Sequence, residues 1–542
     1  MFLLWVAAAV FCFFIYRFAV DVPYMDDYLL LFSITKMTDP ATGIAWSDVL
    51  TQHNEHRIFL ARLVALFDYM IEGHVNFKTL ALTGSASVLA LFYLLFRLFH
   101  RAKVSPWALT PIALLLFQPS YYNNLLWGLS VWQHSVTLAG YILFFWLAMH
   151  PTRRMQGLAL GLGAVLMYSN SNGLFAWAAV VLLLGCYGRR LEAAVWLATG
   201  IGLTLLYYLA DYQFYKSPSV WLANPDPIWL MRSLAGFMGG AMYLDGFPWL
   251  KGLSSPLLVW LMGIAVLGIY GLAWWEFLFR RHKDYPAVYP VLLGMTIVLV
   301  LTGLGAAVTR SNGDLMIIER YQIYSIMCLI IAYSLLVIAL ENSGNKWLTV
   351  LATAVTALFS FNSYLYYIPE LENREKRLLA EAAEIKEHHH SPMISIFLSD
   401  PYWNALLRNT IERGILRFPE EADSAFDLVS ISSSRVKSPV IFEITKRIDE
   451  GVHKTVIDVR HNTMETPTYL LLRSGSEVHL LPAEKEPERS KLRMLQHGSL
   501  YQPGTRTSFY TAPLAPGRYQ IGLLRLIDDL PHTEWTEQFI SR

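Results

Sequence analysis

Long apolar segments are the feature that most constrains this chain. Eleven of them approach or reach the roughly 20 residues that a helix needs to cross a bilayer. They lie near residues 2–20, 79–99, 105–118, 131–149, 157–169, 173–187, 191–209, 256–279, 287–308, 321–340 and 347–367. Inside lipid a segment of this kind satisfies its backbone hydrogen bonds as a helix. The sequence therefore predicts a polytopic α-helical membrane protein with about eleven spans.

Composition and charge narrow the functional classes. Hydrophobic residues make up 54% of the chain and charged residues 16%, whereas soluble domains carry about 25% charge. The net charge of +1 gives no reason to expect a nucleic-acid partner. All three cysteines fall in apolar segments without a CxxC motif, so neither a disulfide framework nor a thiolate metal site is expected. The first apolar segment lacks a basic leader and a good cleavage site, which favours a retained anchor.

Basic residues in the short loops predict the orientation of the spans. They follow the second, fourth, sixth, eighth and tenth spans, as Arg97, Arg101, Lys103, Arg153, Arg154, Arg189, Arg190, Arg280, Arg281, Lys283 and Lys346. By the positive-inside rule these loops are cytoplasmic. The segment 229–250 must then be re-entrant or interfacial, and its glycines and Pro248 suit a broken helix buried among others. The outer face receives the loops 21–78, 119–130, 211–255 and 309–320 and everything after about 368.

The C-terminal region has a different pattern. A charged amphipathic helix is predicted from Pro369 to Glu387, and a second helix over 403–414. From about residue 425 short alternating segments predict strands: VIFEITKRI, TVIDVRH, TYLLLRS, EVHLLPA, TSFYTA and YQIGLL. We expect three parts: a transmembrane domain over 1–370 with an interfacial helix in its first outer loop, a helical linker over 371–424, and an extracytoplasmic β-sandwich-like domain over 425–542.

Three acidic residues open the first outer loop. Asp21, Asp26 and Asp27 lie at the edge of the hydrocarbon, in an otherwise aromatic and apolar stretch. They could be solvated interfacial residues. However, adjacent carboxylates raise each other's pKa, a cost that a functional role or a counter-charge would explain.

A second polar cluster falls within residues 47–71, whose apolar spacing predicts an amphipathic helix lying in the membrane interface, with Ser47 as its N-cap. Its first turns would carry His53, Asn54, Glu55, His56 and Arg57, with His53, His56 and Arg57 on one face. These side chains could serve only to contact lipid headgroups. Their spacing does not match the HExxH zinc signature.

A third cluster surrounds the loop before the tenth span, where Arg310 and Asp314 precede Glu319, Arg320 and Tyr321. Arginines that enter a span from the outside oppose the positive-inside trend. They could form ion pairs with Glu319 or Asp314, or bind an anion at headgroup depth, where the planar guanidinium suits phosphate. Weaker candidates in the outer loops are Asn123, Asn124, Trp127, Gln133, His134, Asn170, Ser171, Asn172 and Tyr212. The triplet His388–His390 is interpreted as a solvated run.

Taken together, residues 1–370 resemble the GT-C superfamily of membrane glycosyltransferases, which includes protein O-mannosyltransferases and aminoarabinose transferases. The resemblance rests on the acidic pair after the first span, the polar interfacial segment, and the span count. Bacterial members look similar in YMDDY, HNEHRIFLARL, NLLWG, SNSNGL and the ERY stretch. The β-rich tail lies outside it.

The resemblance implies a glycosyltransferase of the bacterial inner membrane whose active site faces the periplasm. It would move a sugar from a polyprenyl-phosphate donor to a cell-surface glycan, lipid or protein. Asp26, Asp27 and Glu55 would be catalytic, and Arg310, Arg320 and Tyr321 would bind the donor phosphate. His53, His56, Arg57 and Asn172 would surround the acceptor. No cofactor is assigned, and a divalent cation held by the carboxylates stays open.

The residues themselves agree with a lipid-linked donor, because the sequence shows no glycine-rich phosphate loop for a nucleotide sugar. Two other interpretations stay open. A transporter or flippase for a lipid-linked glycan would usually show internal repeats and charges near mid-span, which we do not find. An O-antigen polymerase or ligase would also take lipid-linked sugars, but an acidic pair after the first span is not characteristic of such enzymes.

Overall fold

The structure is a computed structural model. It describes residues 2–41, 43–213, 226–243, 256–281, 288–310, 321–340, 346–394, 401–420, 422, 441–449, 452–460, 468–488, 490–527 and 530–542. The α-helices in this part of the chain are Phe2–Phe18, Asp27–Met37, Phe59–Glu72, Phe77–Arg101, Leu109–Leu116, Tyr122–Leu125, Gly128–Gln133, Ser135–Ala148, Arg153–Ser169, Gly173–Cys186, Arg190–Leu209, Pro227–Gly239, Pro256–Glu276, Tyr289–Arg310, Gln322–Leu340, Trp347–His388, Pro401–Glu412 and Lys491–His497.

Seven helical segments among the described residues are long and apolar enough to cross a membrane. They are Phe77–Arg101, Gly128–Ala148, Arg190–Leu209, Pro256–Phe279, Tyr289–Thr309, Gln322–Leu340 and Trp347–His388. Leu4–Phe18, Pro106–Leu116 and Gly173–Cys186 are shorter apolar helices. The chain is thus a helical membrane protein. Each of the eleven predicted segments contains a helix, while the count of eleven spans stays a prediction.

Two glycines allow close packing of the helices Pro227–Gly239 and Pro256–Glu276. A Cβ on Gly263 would lie 2.0 Å from the carbonyl oxygen of Ala235, and one on Gly239 would lie 2.0 Å from that of Val259. Small residues at such contacts let helix backbones approach each other in membranes. Residues 233–239 of the helix Pro227–Gly239 are buried. That the segment 229–250 is re-entrant or interfacial stays a prediction, and its Gly246 and Pro248 lie outside the described residues.

The last long helix is continuous where two elements were predicted. It runs from Trp347 to His388 with Pro369 inside it. Proline removes one backbone hydrogen bond. The Glu-, Leu-, Ala- and Lys-rich residues that follow favour helix strongly, so the charged segment continues the membrane helix instead of starting a new one.

The described chain divides into two compact units. The first unit comprises Met1–Arg17, Met37–Ala65 and Leu80–Tyr364. The second unit comprises Phe18–Lys36, Leu66–Thr79 and Leu365–Arg542, so segments of the first predicted outer loop belong to the same compact unit as the C-terminal region. The sequence predicted three consecutive domains, whereas each of these two units is built from separate segments of the chain.

The C-terminal strands form two four-stranded antiparallel sheets. The strands, numbered after a short hairpin of β1 (Gln52–His53) and β2 (His56–Arg57), are β3 (Ile441–Asp449), β4 (Val452–Arg460), β5 (Tyr469–Ser474), β6 (Glu477–Pro482), β7 (Glu484–Pro487), β8 (Tyr501–Tyr510), β9 (Arg518–Ile527) and β10 (Leu530–Ser541). The sheet orders are β10-β9-β5-β6 and β3-β4-β8-β7. All six predicted strands are present, and β7 and β10 are additional.

The core of the second unit joins these sheets to the long helix. Buried residues of both sheets share one cluster, including Ile457 and Phe509 from one sheet and Leu470 and Ile521 from the other. A second cluster packs Ala380 and Ala383 of the helix Trp347–His388 against β5, β6 and β9. A third packs Leu378 and Ala382 against Val22 of the first loop. The apolar stripe of the charged helix is therefore its docking face within this unit.

Candidate functional site

The cluster from His53 to Arg57 lies on a β-hairpin, and the predicted helix over 47–71 is wrong at its start. The pairs Gln52–Arg57 and His53–His56 form the hairpin, with Asn54 and Glu55 as its two-residue loop. Asn54 has a φ of 49°, a left-handed conformation that suits such a turn and that asparagine adopts more readily than most residues. The amphipathic helix begins only at Phe59 and ends at Glu72. His53, His56 and Arg57 therefore do not share a helical face.

The hairpin borders a cavity of about 340 Å³ in the first unit. This volume lies within the range of about 300–1,000 Å³ typical of small-molecule sites. The residues that line it come from several helix ends. Those with polar side chains are Glu55, His56, His134, Asn170, Ser171, Asn172, Tyr208, Tyr212, Thr302, Thr309, Tyr321 and Tyr324, and the apolar ones are Leu174, Phe175, Gly305 and Ala306. By the predicted orientation, all of these helix ends belong to the outer face. Glu55, His56, Asn172 and Tyr321, which the sequence singled out, are thus brought together.

Tyr324 connects the polar wall of this cavity. Its hydroxyl lies 2.9 Å from Nδ1 of His134, and the side-chain amides of Asn170 and Asn172 donate to it at 3.4 and 3.3 Å. The Asn170 amide also donates to the backbone carbonyl of Gln133 at 2.9 Å. Because Tyr324 and Asn170 are buried, this network fixes the orientation of the amides at the cavity wall.

The hairpin loop is held against the same wall by two contacts. Nδ1 of His56 lies 2.8 Å from the hydroxyl of Ser171. Tyr212 donates its hydroxyl to the backbone carbonyl of Glu55 at 3.1 Å. Burial, with the nearby Tyr208, raises the pKa of Tyr212 to about 12, which keeps this hydroxyl protonated. The contacts hold the hairpin loop so that a carboxylate and an imidazole, both half-buried, line the cavity.

Arg57 and His53 lie beside the cavity, on the same hairpin as His56, and both are buried. Arg57 donates to Oδ1 of Asp211 at 2.5 Å and to the carbonyl of Tyr207 at 2.6 Å, with its guanidinium 4.9 Å from the Tyr207 ring. Burial and the positive charge of Arg62 lower the pKa of His53 to about 3, so His53 is neutral at physiological pH. These partners make Arg57 a support for the hairpin.

The acidic pair lies in the second unit. Asp27 is 1% exposed and accepts the backbone N–H of Tyr24 at 3.2 Å, which fixes the turn that begins the helix Asp27–Met37. Asp26 is half-buried, and the preceding Met25 has a φ of 52°. Burial and the Tyr24 bond give Asp27 a structural role, and they leave Asp26 as the more accessible carboxylate of the pair.

The predicted phosphate ligands are described only in part. Arg310 ends the helix Tyr289–Arg310, but its side chain and all of Arg320 lie outside the described residues. In the sequence they adjoin Thr309 and Tyr321, which both line the cavity.

Some lining residues carried a sequence signal and others did not. His134, Asn170 and Tyr212 stood out as polar residues in outer loops. Tyr324 and Tyr208 did not, because a tyrosine one turn inside an apolar span reads as part of the interfacial aromatic belt. Among the described residues that line the cavity, Glu55, His56 and His134 have side chains of a type that can bind a metal ion.

No family model, no curated protein and no solved structure matches this chain. The class of this protein is therefore inferred from its own fold and cavity. It is a helical membrane protein with a C-terminal region of two β-sheets and a polar cavity among its helix ends.

Proposed function

We propose that the protein is a membrane glycosyltransferase that transfers a sugar from a polyprenyl-phosphate donor to an extracytoplasmic acceptor. The observation that carries the proposal is the cavity of the first unit, in which one carboxylate, two imidazoles and two amides meet at the ends of membrane helices.

The two kinds of lining suit the two parts of such a donor. Asn170, Asn172 and Glu55 offer donors and acceptors for the hydroxyl groups of a sugar, and Tyr208 and Tyr321 add aromatic surface. Leu174, Phe175 and Ala306 form an apolar wall on which the first isoprene units could lie. A site built mostly from apolar surface with a few fixed polar groups is typical of small-ligand binding.

The chemistry needs a base and a stabiliser for the leaving group. In the proposed step the acceptor oxygen forms a bond to the anomeric carbon, the bond from that carbon to the phosphate oxygen breaks, and a carboxylate takes the acceptor's proton. Glu55, the carboxylate that lines the cavity, would be that base. The described lining contains no lysine or arginine, so the phosphate charge would fall to Arg310 and Arg320, which adjoin the cavity in sequence.

The finer architecture belongs to the same proposal. Eleven spans with the basic loops in the cytoplasm would put the cavity and the C-terminal region on the periplasmic side of a bacterial inner membrane. The core cluster shared by the two sheets supports a β-sandwich there. A nucleotide sugar would not be available on that side, whereas a lipid-linked sugar would present its phosphate at headgroup level.

Transfer in liposomes tests the proposal directly. Purified protein would be reconstituted with a panel of polyprenyl-phosphate sugars labelled in the sugar, together with an extract of cell-envelope acceptors. Acceptors would be chosen by mass spectrometry of surface glycans with and without the gene. We expect label in the acceptor fraction with the wild-type protein and not with Glu55→Gln. Movement of the labelled lipid between leaflets without transfer would instead establish a flippase.

A further inference from the structure

Three histidines and a glutamate meet in the second unit, far along the chain from the cavity residues. Glu384 lies in the last turns of the helix Trp347–His388, of which His388 is the final residue, and His390 follows two positions later. His479 lies on β6. The side chains of Glu384 and His479 are 0% and 2% exposed, and His388 and His390 are half-buried. The expectation that this histidine triplet is simply solvated is therefore wrong for two of its members.

Hydrogen bonds orient each of the three imidazoles. Nδ1 of His479 lies 2.9 Å from Oε2 of Glu384, whose Oε1 accepts the backbone N–H of Leu480 at 2.5 Å. Nε2 of His388 lies 3.0 Å from the carbonyl oxygen of Val478. Nδ1 of His390 lies 2.8 Å from the carbonyl oxygen of His388. A carbonyl or carboxylate accepts only from a protonated nitrogen, so in a neutral ring the opposite nitrogen carries the lone pair.

A ring nitrogen bound to a carbonyl or carboxylate, as in these rings, is how proteins orient metal-binding histidines. In two of the rings the second nitrogen is buried. Within the part of the chain that the structure describes, Nε2 of His479 and Nε2 of His390 have no hydrogen-bond partner. A buried polar atom without a partner is unfavourable, and a bound cation would satisfy both atoms together.

The spacing of the rings also fits one ion. Candidate ligand atoms of Glu384, His388 and His479 lie within 4.8 Å of one another, a set that contains two of the three rings but not His390. The ring centroids are 4.5 Å apart for His388 and His479, 5.9 Å for His388 and His390, and 6.1 Å for His390 and His479. Imidazoles bound at about 2.1 Å in a tetrahedral site have centroids about 5 Å apart.

We propose that His388, His390 and His479 bind a divalent transition-metal ion of the zinc class, with Glu384 orienting His479. Imidazole donors favour zinc and its neighbours over magnesium or calcium, which take oxygen ligands. The ion would tie the end of the long helix to β6. This role is structural and independent of the proposed transferase activity.

The exposed middle histidine provides a matched control. His389 has a φ of 57° and an exposed side chain. The substitution His389→Asn keeps a residue that tolerates this left-handed backbone, and it changes the same triplet without touching the three rings.

Metal binding by the full-length protein tests the site. The protein would be purified in detergent with a tag that contains no histidine, stripped with EDTA, and titrated with Zn²⁺ against a chromophoric chelator. We expect about one high-affinity equivalent in wild type and in His389→Asn. We expect Glu384→Gln to weaken the affinity about ten- to hundredfold, as loss of an orienting partner typically does, and His479→Asn to abolish high-affinity binding.

The visible spectrum of bound Co²⁺ gives a second readout. Wild type and His389→Asn should show the intense absorption of a tetrahedral site, and His390→Asn should lose it. His390 is only half-buried, so this variant serves if His479→Asn does not fold. The proposal would be overturned if the wild-type protein did not bind Zn²⁺. It would also be overturned if His389→Asn lowered Zn²⁺ binding as much as His390→Asn does.

Discussion

Arg57 and Asp211 form an ion pair between the hairpin strand β2 and the residues that follow the helix Arg190–Leu209. The guanidinium is 3% exposed and the carboxylate 40% exposed, with 2.5 Å between Nη2 and Oδ1. A buried cation needs such a partner, because removing it from water is costly. The pair therefore fixes the hairpin that presents Glu55 and His56 to the cavity.

The first prediction concerns this pair. Arg57→Ala should lower the free energy of unfolding by about 3 kcal/mol, since it removes the carbonyl contacts and the ring contact as well as the charge. Asp211→Asn should cost about 1–3 kcal/mol, because it leaves the buried guanidinium without its counter-charge. Thermal melts in detergent would measure both. Unchanged melting of Arg57→Ala, with turnover lost, would show instead that Arg57 acts on substrate.

The second prediction separates the two aspartates. If Asp26 is the general base that the resemblance implies, Asp26→Asn should reduce turnover about 100- to 10,000-fold, with normal melting. Asp27→Ala should lower the melting temperature, because it removes the buried acceptor of the Tyr24 N–H. Turnover and melting would be measured on the same preparations. Full activity of Asp26→Asn would leave Glu55 as the candidate base.

The third prediction is a pH dependence in the second unit. Burial raises the pKa of Asp21 from 3.8 to about 6, against the opposing effects of the Phe77 N–H and His74. Burial likewise raises the pKa of Asp68 to about 6, with Glu72 adding to the shift and the Asn76 N–H and His74 opposing it. Between about pH 4 and pH 6 the native state keeps protons that the unfolded chain releases. These two groups should therefore make stability fall as the pH rises through this window.

Asp21→Asn tests this assignment. Its amide oxygen can still accept the Phe77 N–H, now 2.7 Å from Oδ1, but it cannot ionise. Melting temperatures from pH 4 to pH 7.5 should be flatter for this variant than for wild type. Glu387→Gln, at an exposed position of the same unit, is the control and should keep the wild-type slope.

The fourth prediction concerns the close helix contact. Gly263→Ala should destabilise the protein by about 1–3 kcal/mol, the usual cost of overpacking, because its Cβ would meet the Ala235 carbonyl. Gly268→Ala, in the same helix with nothing within 4 Å of its Cβ, should be neutral or slightly stabilising. Equal melting temperatures for the two variants would contradict the packing described for these helices.

The fifth prediction concerns the donor phosphate. Arg320→Ala should lower turnover about ten- to hundredfold, since a lost hydrogen bond to a charged group costs about 1.5–3 kcal/mol. Arg320→Lys should retain part of the activity, because it keeps the charge without the planar fork. If Arg320 instead pairs with Glu319, membrane yield will fall and the double change with Glu319→Ala will restore it. Yield and turnover must be measured together.

The sequence by itself determined the elements whose signal is local. Apolar length located a helix in each of the eleven predicted segments, and strict alternation located six strands, because both patterns depend on neighbours along the chain. The polar loops that were predicted to be outer also supplied most of the cavity's polar lining. One prediction from local spacing was wrong. The helix that begins at Phe59 was extended back through the residues His53 to Arg57, where the chain forms a hairpin with Asn54 in a left-handed conformation.

Tertiary structure decided which distant residues meet. Nothing local connects His479 of β6 with His388 and His390, or Tyr324 with Asn170, since these contacts depend on how helices and sheets pack. The same holds for the second unit, which combines segments of the first loop with the C-terminal region. Buried charges and imidazoles take their properties from such neighbours and from exclusion of water. For that reason the sequence could propose the residues, but only the fold could group them.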